Sequence, residues 1–164
     1  MNVQLSPAEK KDIHRIQQLA KKIWQAHYLS IIGQDQIDYM LDKIYSTAAL
    51  EQQMDEGQQF HFISCEGQCC GFLAISQIKE IASEYFIHKF YIDTSEHRKG
   101  IGTETFKLLL QAYPEATTYR LQVNRQNYKP INFYFKLGFV IEKVADFDIG
   151  NGYFMNDFVM VKNL

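Results

Sequence analysis

Apolar residues recur at helical spacing early in the chain: Ile13, Ile16, Ala20, Ile23 and His27 stand three or four apart and so share one helix face. Ser6-Pro7-Ala8-Glu9, just ahead of them, reads as a capping box with proline at the first helical position, which predicts a helix of about five turns from there. Lys10, Lys11, Arg15, Lys21 and Lys22 fall on the other face and read as solvated. Ile37, Met40, Leu41 and Ile44 predict a second helix over about 34–45. A shorter one passes through Leu50 and Met54 and stops at Gly57.

Beyond Gly57 the period changes. Phe60 to Cys65 and Gly71 to Ile78 are apolar, rich in strand formers and joined through Glu66-Gly67-Gln68, a hairpin signature. Glu84 to Ile92 predicts a third strand, on which Glu84, Phe86, His88, Phe90 and Ile92 share one face and Tyr85, Ile87, Lys89 and Tyr91 the other. There follow a helix to about Tyr113, a strand at Tyr119 to Val123, a helix from about Pro130 to Leu137, and two terminal strands around Phe139 to Phe147 and Tyr153 to Val161, turning at Gly150-Asn151-Gly152. No repeat or linker interrupts this order, which predicts one domain over residues 1–164 with a mixed sheet flanked by helices.

Composition narrows the function classes. The 164 residues are 46% hydrophobic and 22% charged, a globular balance able to bury a core without metals or disulfides. No apolar run approaches a membrane span and the first residues lack a secretory signal's apolar core, so the expected location is cytoplasmic. Cys65, Cys69 and Cys70 form neither a disulfide framework nor a zinc spacing and read as small buried apolar residues; no metal is implied. The formal charge of −2 argues against general nucleic-acid binding.

Chemistry concentrates at His97-Arg98-Lys99-Gly100-Ile101-Gly102-Thr103, where strand gives way to helix. Two glycines spaced G-x-G permit a tight turn that leaves N–H groups unpaired at a helix start, where the positive end of the helix dipole joins Arg98 and Lys99. Such a loop suits a pyrophosphate. It lacks the third glycine of the dinucleotide fingerprint and the G-K-S/T of the P-loop.

A second segment, Leu121 to Asn127 followed by Pro130-Ile131-Asn132-Phe133-Tyr134-Phe135-Lys136-Leu137-Gly138-Phe139, completes a pattern. Together the two segments resemble the GNAT superfamily of N-acetyltransferases, whose acetyl-CoA site pairs an R/Q-x-x-G-x-G/A loop with a downstream N-x-x-A-x-x-F-Y-x-x-x-G-F run. The likeness covers about Phe60 to Phe139, with His97 in the slot usually held by Gln or Arg and Pro130 in the slot usually held by Ala. It implies an α/β (α+β) fold: a mixed, mostly antiparallel central sheet of about six to seven strands, with helices on both faces.

The resemblance also implies chemistry. GNAT enzymes move acetyl from the CoA thioester to a primary amine, whose ammonium must first lose a proton. The family's acid maps onto Tyr134, which would protonate the leaving thiolate. The base is open between His88, whose type titrates nearest neutrality, Glu84, and a chain of waters. Backbone groups of Phe90, Tyr91 and Ile92 would bond the pantetheine arm and one N–H would polarise the thioester carbonyl. The cofactor set is then Phe90 to Ile92, His97 to Thr103, Asn127 and Lys136. Trp24, Tyr28 and Tyr39 would roof the acceptor, and Asp148 and Asp157 near the last turn would hold a cationic one, in segments that resemble those of bacterial polyamine or diamine acetyltransferases. The reading is a transferase acting on a small-molecule amine, as monomer or homodimer. Its alternatives are a protein lysine or N-terminal acetyltransferase and a non-catalytic acyl-CoA sensor.

Overall fold

A computed structural model describes residues 1–93, 95 and 100–164. Strands β1 (Val3–Ala8), β2 (Gln59–Cys65), β3 (Gln68–Ile78), β4 (Ile81–Ile92), β5 (Thr118–Asn124), β6 (Val140–Gly150) and β7 (Tyr153–Asn163) form one sheet in the order β1-β2-β3-β4-β5-β7-β6. Helices α1 (Ile13–Ile32), α2 (Gln34–Tyr45), α3 (Thr47–Asp55), α4 (Ile101–Ala112) and α5 (Tyr128–Lys136) complete the mixed, mostly antiparallel α/β fold. β4 and β5 run parallel, in register from Glu84↔Thr118 to Ile87↔Leu121, because the connection through α4 carries the chain back to the same end of the sheet. The neighbouring pairs β1·β2, β2·β3, β5·β7 and β6·β7 are antiparallel.

The chain forms two compact units, one of residues 1–76 and 89–114, the other of 77–88 and 115–164, so that β4 contributes to both. In the first, the predicted helix face is the buried one: Ile16, Ala20 and Ile23 of α1, Ile37 of α2 and Leu50 of α3 are fully or almost fully buried, as are Phe72, Leu73, Ala74 and Ile75 of β3. Each such Ile, Leu or Phe side chain stabilises the fold by about 1.5–3 kcal/mol through area removed from water. In the second unit Tyr119, Leu121 and Val123 alternate inward along β5, Met160 lies beside them on β7, and Ile131 and Tyr134 are the buried positions of α5.

The start of the chain departs from expectation. Ser6-Pro7-Ala8 belongs to β1, paired from Val3↔Cys65 to Ala8↔Phe60, rather than to a helix cap. The competing signal was the short alternation through Val3 and Leu5, and a proline is tolerated there because β1 is an edge strand. The cap moves three residues on, from Ser6 to Glu9: the Glu9 N–H donates to Asp12 Oδ2 at 2.9 Å, a 3₁₀ turn covers Lys10–Asp12, and α1 begins at Ile13. The hairpin expected around Gly67 is present, with Glu66 and Gly67 both at positive φ (51° and 80°) as a two-residue turn requires.

Candidate functional site

In the first unit, β4 and α4 frame the predicted anion cradle. Gly100 caps α4 in the left-handed region at φ 101°, a conformation that selects glycine, and a β-carbon there would stand 3.2 Å from the end of the flexible Met1 side chain. The helix is anchored beneath: Ile101 is buried, the Glu104 N–H donates to the Gly100 carbonyl at 3.0 Å, and the buried Thr105 hydroxyl donates to the Ile101 carbonyl at 2.8 Å. The first N–H groups of a helix have no intrahelical acceptor, so Ile101, Gly102 and Thr103 stand at the positive end of the dipole of a 12-residue helix, where an anion is favoured. His97, Arg98 and Lys99 lie outside the described residues.

The end of β4 is held against β3 by a close backbone approach. A β-carbon on Gly71 would lie 2.2 Å from the Tyr91 carbonyl oxygen, and the Asp93 N–H donates to the Cys70 carbonyl at 2.7 Å. Phe90, Tyr91 and Ile92 are half-buried. Trp24 and Tyr28 lie in a buried aromatic cluster, their ring centroids 4.6 Å apart and the Trp24 ring 6.1 Å from that of Tyr91. Tyr39 is half-buried, with the Lys43 ammonium 5.6 Å from its ring centre. Of the cysteines read as buried, Cys65 and Cys70 are, while Cys69 is half-exposed.

Sequence reasoning passed over Lys89, although it stands in line with Tyr85, Ile87 and Tyr91 on the inward face of β4. Its ammonium donates to Gln53 Oε1 (2.6 Å) and Gln58 Oε1 (3.0 Å) and lies 5.1 Å from the Phe60 ring centre. Burial pushes its pKa down to about 7. A lysine with a depressed folded-state pKa makes the folded protein bind fewer protons than the unfolded chain above pH 7, so stability rises with pH until the unfolded-state value near 10.5 is reached. Urea unfolding from pH 7 to 10 is therefore expected to show wild type gaining stability relative to Lys89→Met, by a few kcal/mol in all. Parallel curves for the two proteins would refute it.

The second unit holds the predicted acid and base residues. Tyr134 is buried on α5, its ring centroid 5.4 Å from Phe133 and 5.6 Å from Phe139. Asn127 caps α5: its N–H donates to the Asn124 carbonyl (3.0 Å) and its carbonyl accepts from Ile131 (3.2 Å). Lys136 is exposed in the last turn. Glu84 is engaged by Arg120, whose guanidinium also donates to Glu142 at 2.8 Å, whereas His88 is exposed on the same face of β4. Glu84 is thus held as one arm of an ion-pair network.

The two aspartates fare differently. Asp148 is exposed and accepts from the Gly150 N–H at 2.9 Å, stabilising the turn. Asp157, opposite Asn124 on β5 and Ala145 on β6, is 2% exposed, and its Oδ1 has no hydrogen-bond partner among the described residues. Burial raises its pKa to about 6, with Arg125 opposing the rise and Asp146 adding to it. Arg125 itself donates to Asp146 Oδ1 (2.7 Å) and to the Asp157 backbone carbonyl (3.3 Å), so its charge reaches the buried carboxylate without a direct hydrogen bond to it.

Residues 28–147 match the acetyltransferase (GNAT) domain family. The chain belongs to the GNAT acetyltransferase family. No curated protein matches it at the sequence level. Among solved structures, this acetyltransferase is similar to the PaiA N-acetyltransferase of Thermoplasma acidophilum in complex with coenzyme A, at 22% identity over the whole of both chains with a TM-score of 0.78. It is also similar to Ard1 of Thermoplasma volcanium (22% identity, 100% of this chain and 99% of that one, TM-score 0.70). The ribosomal-protein-S18-alanine N-acetyltransferase of Escherichia coli is a third, at 14% identity over 99% and 94% of the chains and a TM-score of 0.71. These likenesses bear out the α/β fold implied by the two sequence segments. Among the described residues, no helix of this acetyltransferase is long and apolar enough to cross a membrane. Among the described residues, no group of three or more His, Cys, Asp and Glu side chains gathers as a metal site would.

Proposed function

We propose that this GNAT acetyltransferase moves the acetyl group of acetyl-CoA to the primary amine of a small cationic molecule, with polyamines as the acceptor class. The observation that carries the donor is the start of α4 at Gly100, a helix N-terminus opened by a left-handed glycine and suited to an anion. Acetyl-CoA supplies a thioester, activated for attack by an amine. His97 to Thr103 take its pyrophosphate, Asn127 and Lys136 add polar contacts, and N–H groups of Phe90 to Ile92 orient the thioester end.

On the acceptor side, Asp157 holds the alkylammonium, because a buried carboxylate with an unpartnered oxygen gains most from a cation that replaces its lost water. Asp148, Trp24, Tyr28 and Tyr39 are the further residues this reading assigns to the acceptor. With Glu84 engaged by Arg120, His88 is the residue assigned to take the amine's proton, and the Tyr134 hydroxyl gives one to the leaving thiolate.

Incubating the protein with acetyl-CoA and polyamines, amino acids, aminoglycosides or lysine peptides, and weighing the amines afterwards, tests the acceptor class. A polyamine heavier by one acetyl group is the expected product; acetylation confined to peptides would establish the protein-directed alternative. Asp157→Asn, which keeps the side chain's shape and removes its charge, is expected to raise the polyamine KM about tenfold, the loss of roughly 1.4 kcal/mol of charge-assisted binding, with little change in the KM for acetyl-CoA. Equal polyamine KM values for variant and wild type would remove Asp157 from the acceptor site.

A further inference from the structure

The side chain of Asp93, the residue that follows β4, is held by groups from both sides. It is 6% exposed, and three donors converge on its carboxylate: the Ser95 N–H at 3.0 Å and the Ser95 hydroxyl at 2.9 Å, both on Oδ1, and the Lys22 ammonium of α1 at 2.5 Å on Oδ2. Its backbone N–H is bound to the Cys70 carbonyl next to the close approach at Gly71. The backbone of Asp93 is thereby fixed to β3 and its side chain to α1 and to Ser95.

None of these contacts is needed to pack the core. Lys22 is largely exposed and lies on the helix face away from Ile16, Ala20 and Ile23, and a buried carboxylate is costly unless its hydrogen bonds are filled. Burial alone would raise the Asp93 pKa, but the Lys22 ammonium and the two Ser95 bonds outweigh it and hold the group below the ordinary carboxylate value, so it is a charged anchor at neutral pH. What the anchor secures is the point at which the chain leaves β4 toward Gly100, the left-handed residue that opens α4. Anion binding by backbone N–H groups depends on their orientation before the ligand arrives, since any ordering left until binding subtracts from affinity.

We infer that Asp93 is a positioning residue for the coenzyme A site: through Ser95 and Lys22 it fixes the β4 end of the connection to α4 and so sets donor affinity without touching the reacting atoms. The inference rests on the acetyl-CoA reading given above. Its consequence is a split between the two substrates. Loss of the anchor weakens the donor and leaves the acceptor KM and the turnover at saturating donor as they were.

The test is calorimetric titration of coenzyme A into the full chain, alongside steady-state kinetics and thermal melts, for wild type, Asp93→Ala, Asp93→Asn and Lys22→Met. Asp93→Ala is expected to weaken coenzyme A about tenfold, with kcat at saturating acetyl-CoA and the acceptor KM within about twofold of wild type. Asp93→Asn, which keeps an acceptor for Ser95 but not the charge for Lys22, and Lys22→Met, which removes that charge from the other side, should each weaken it about threefold. A folded Asp93→Ala protein that binds coenzyme A like wild type overturns the inference, as does a fall in kcat matching the loss of affinity. Should Asp93→Ala fail to fold, unchanged affinity in both Asp93→Asn and Lys22→Met overturns it equally. Wild type that binds no coenzyme A at all would instead sink the acetyl-CoA reading on which the inference stands.

Discussion

Tyr134→Phe is expected to lower kcat by about 10² to 10⁴, the range over which a positioned general acid acts, while leaving the affinity for acetyl-CoA unchanged. The two effects separate because the substitution removes one oxygen and keeps the ring. The contacts of Tyr134 with Phe133 and Phe139 are ring contacts, and its backbone carbonyl still accepts from the Phe139 N–H at 3.0 Å. In the proposed mechanism, what is lost is the proton for the departing thiolate. Pre-steady-state mixing with acetyl-CoA and a saturating acceptor reads the chemical step directly. A variant as fast as wild type there would remove Tyr134 from the mechanism.

Gly71→Ala should be the most damaging single substitution for the fold around the donor site. The added methyl would stand 2.2 Å from the Tyr91 carbonyl oxygen and 3.0 Å from Ile92 Cα, and both obstacles are backbone, so no side chain can rotate away. β3 and β4 must separate, at an expected cost of about 2–4 kcal/mol in urea unfolding, together with a raised KM for acetyl-CoA because Phe90 to Ile92 move with the strand. Gly57→Ala provides the comparison: Gly57 has φ 105° with open space around it, so only backbone strain of about 1 kcal/mol is expected. Equal stability of Gly71→Ala and wild type would contradict the close approach.

Much of this architecture was legible because period and punctuation agreed. The three-and-four spacing from Ile13 to Ile23 identified the buried face of α1, and the period of two separated the two faces of β4, of which the structure buries the one with Tyr85 and Ile87. The Gly100 junction was legible because a left-handed residue opening a helix leaves few choices of side chain. β1 was missed because Ser6-Pro7-Ala8-Glu9 imitates a helix start, and only pairing with β2, more than fifty residues away, selects the strand. Lys89 and Asp93 were missed for a related reason. A charged residue in or just after a strand reads as solvated until its distant partners are known, and Gln53, Gln58 and Lys22 are all far away in sequence. Asp157 and Asp148 looked equivalent as acids beside one turn; the register with β5 and β6 buries the first and leaves the second in water.

The central claim is that this GNAT protein transfers acetyl from acetyl-CoA to an amine. Free-thiol release from acetyl-CoA, followed with and without each amine of the panel, tests it most directly. The account predicts release that is stimulated by polyamines and abolished to background in Tyr134→Phe. Tight binding of acetyl-CoA with no thiol released in the presence of any amine would contradict it and leave a binding protein in place of an enzyme.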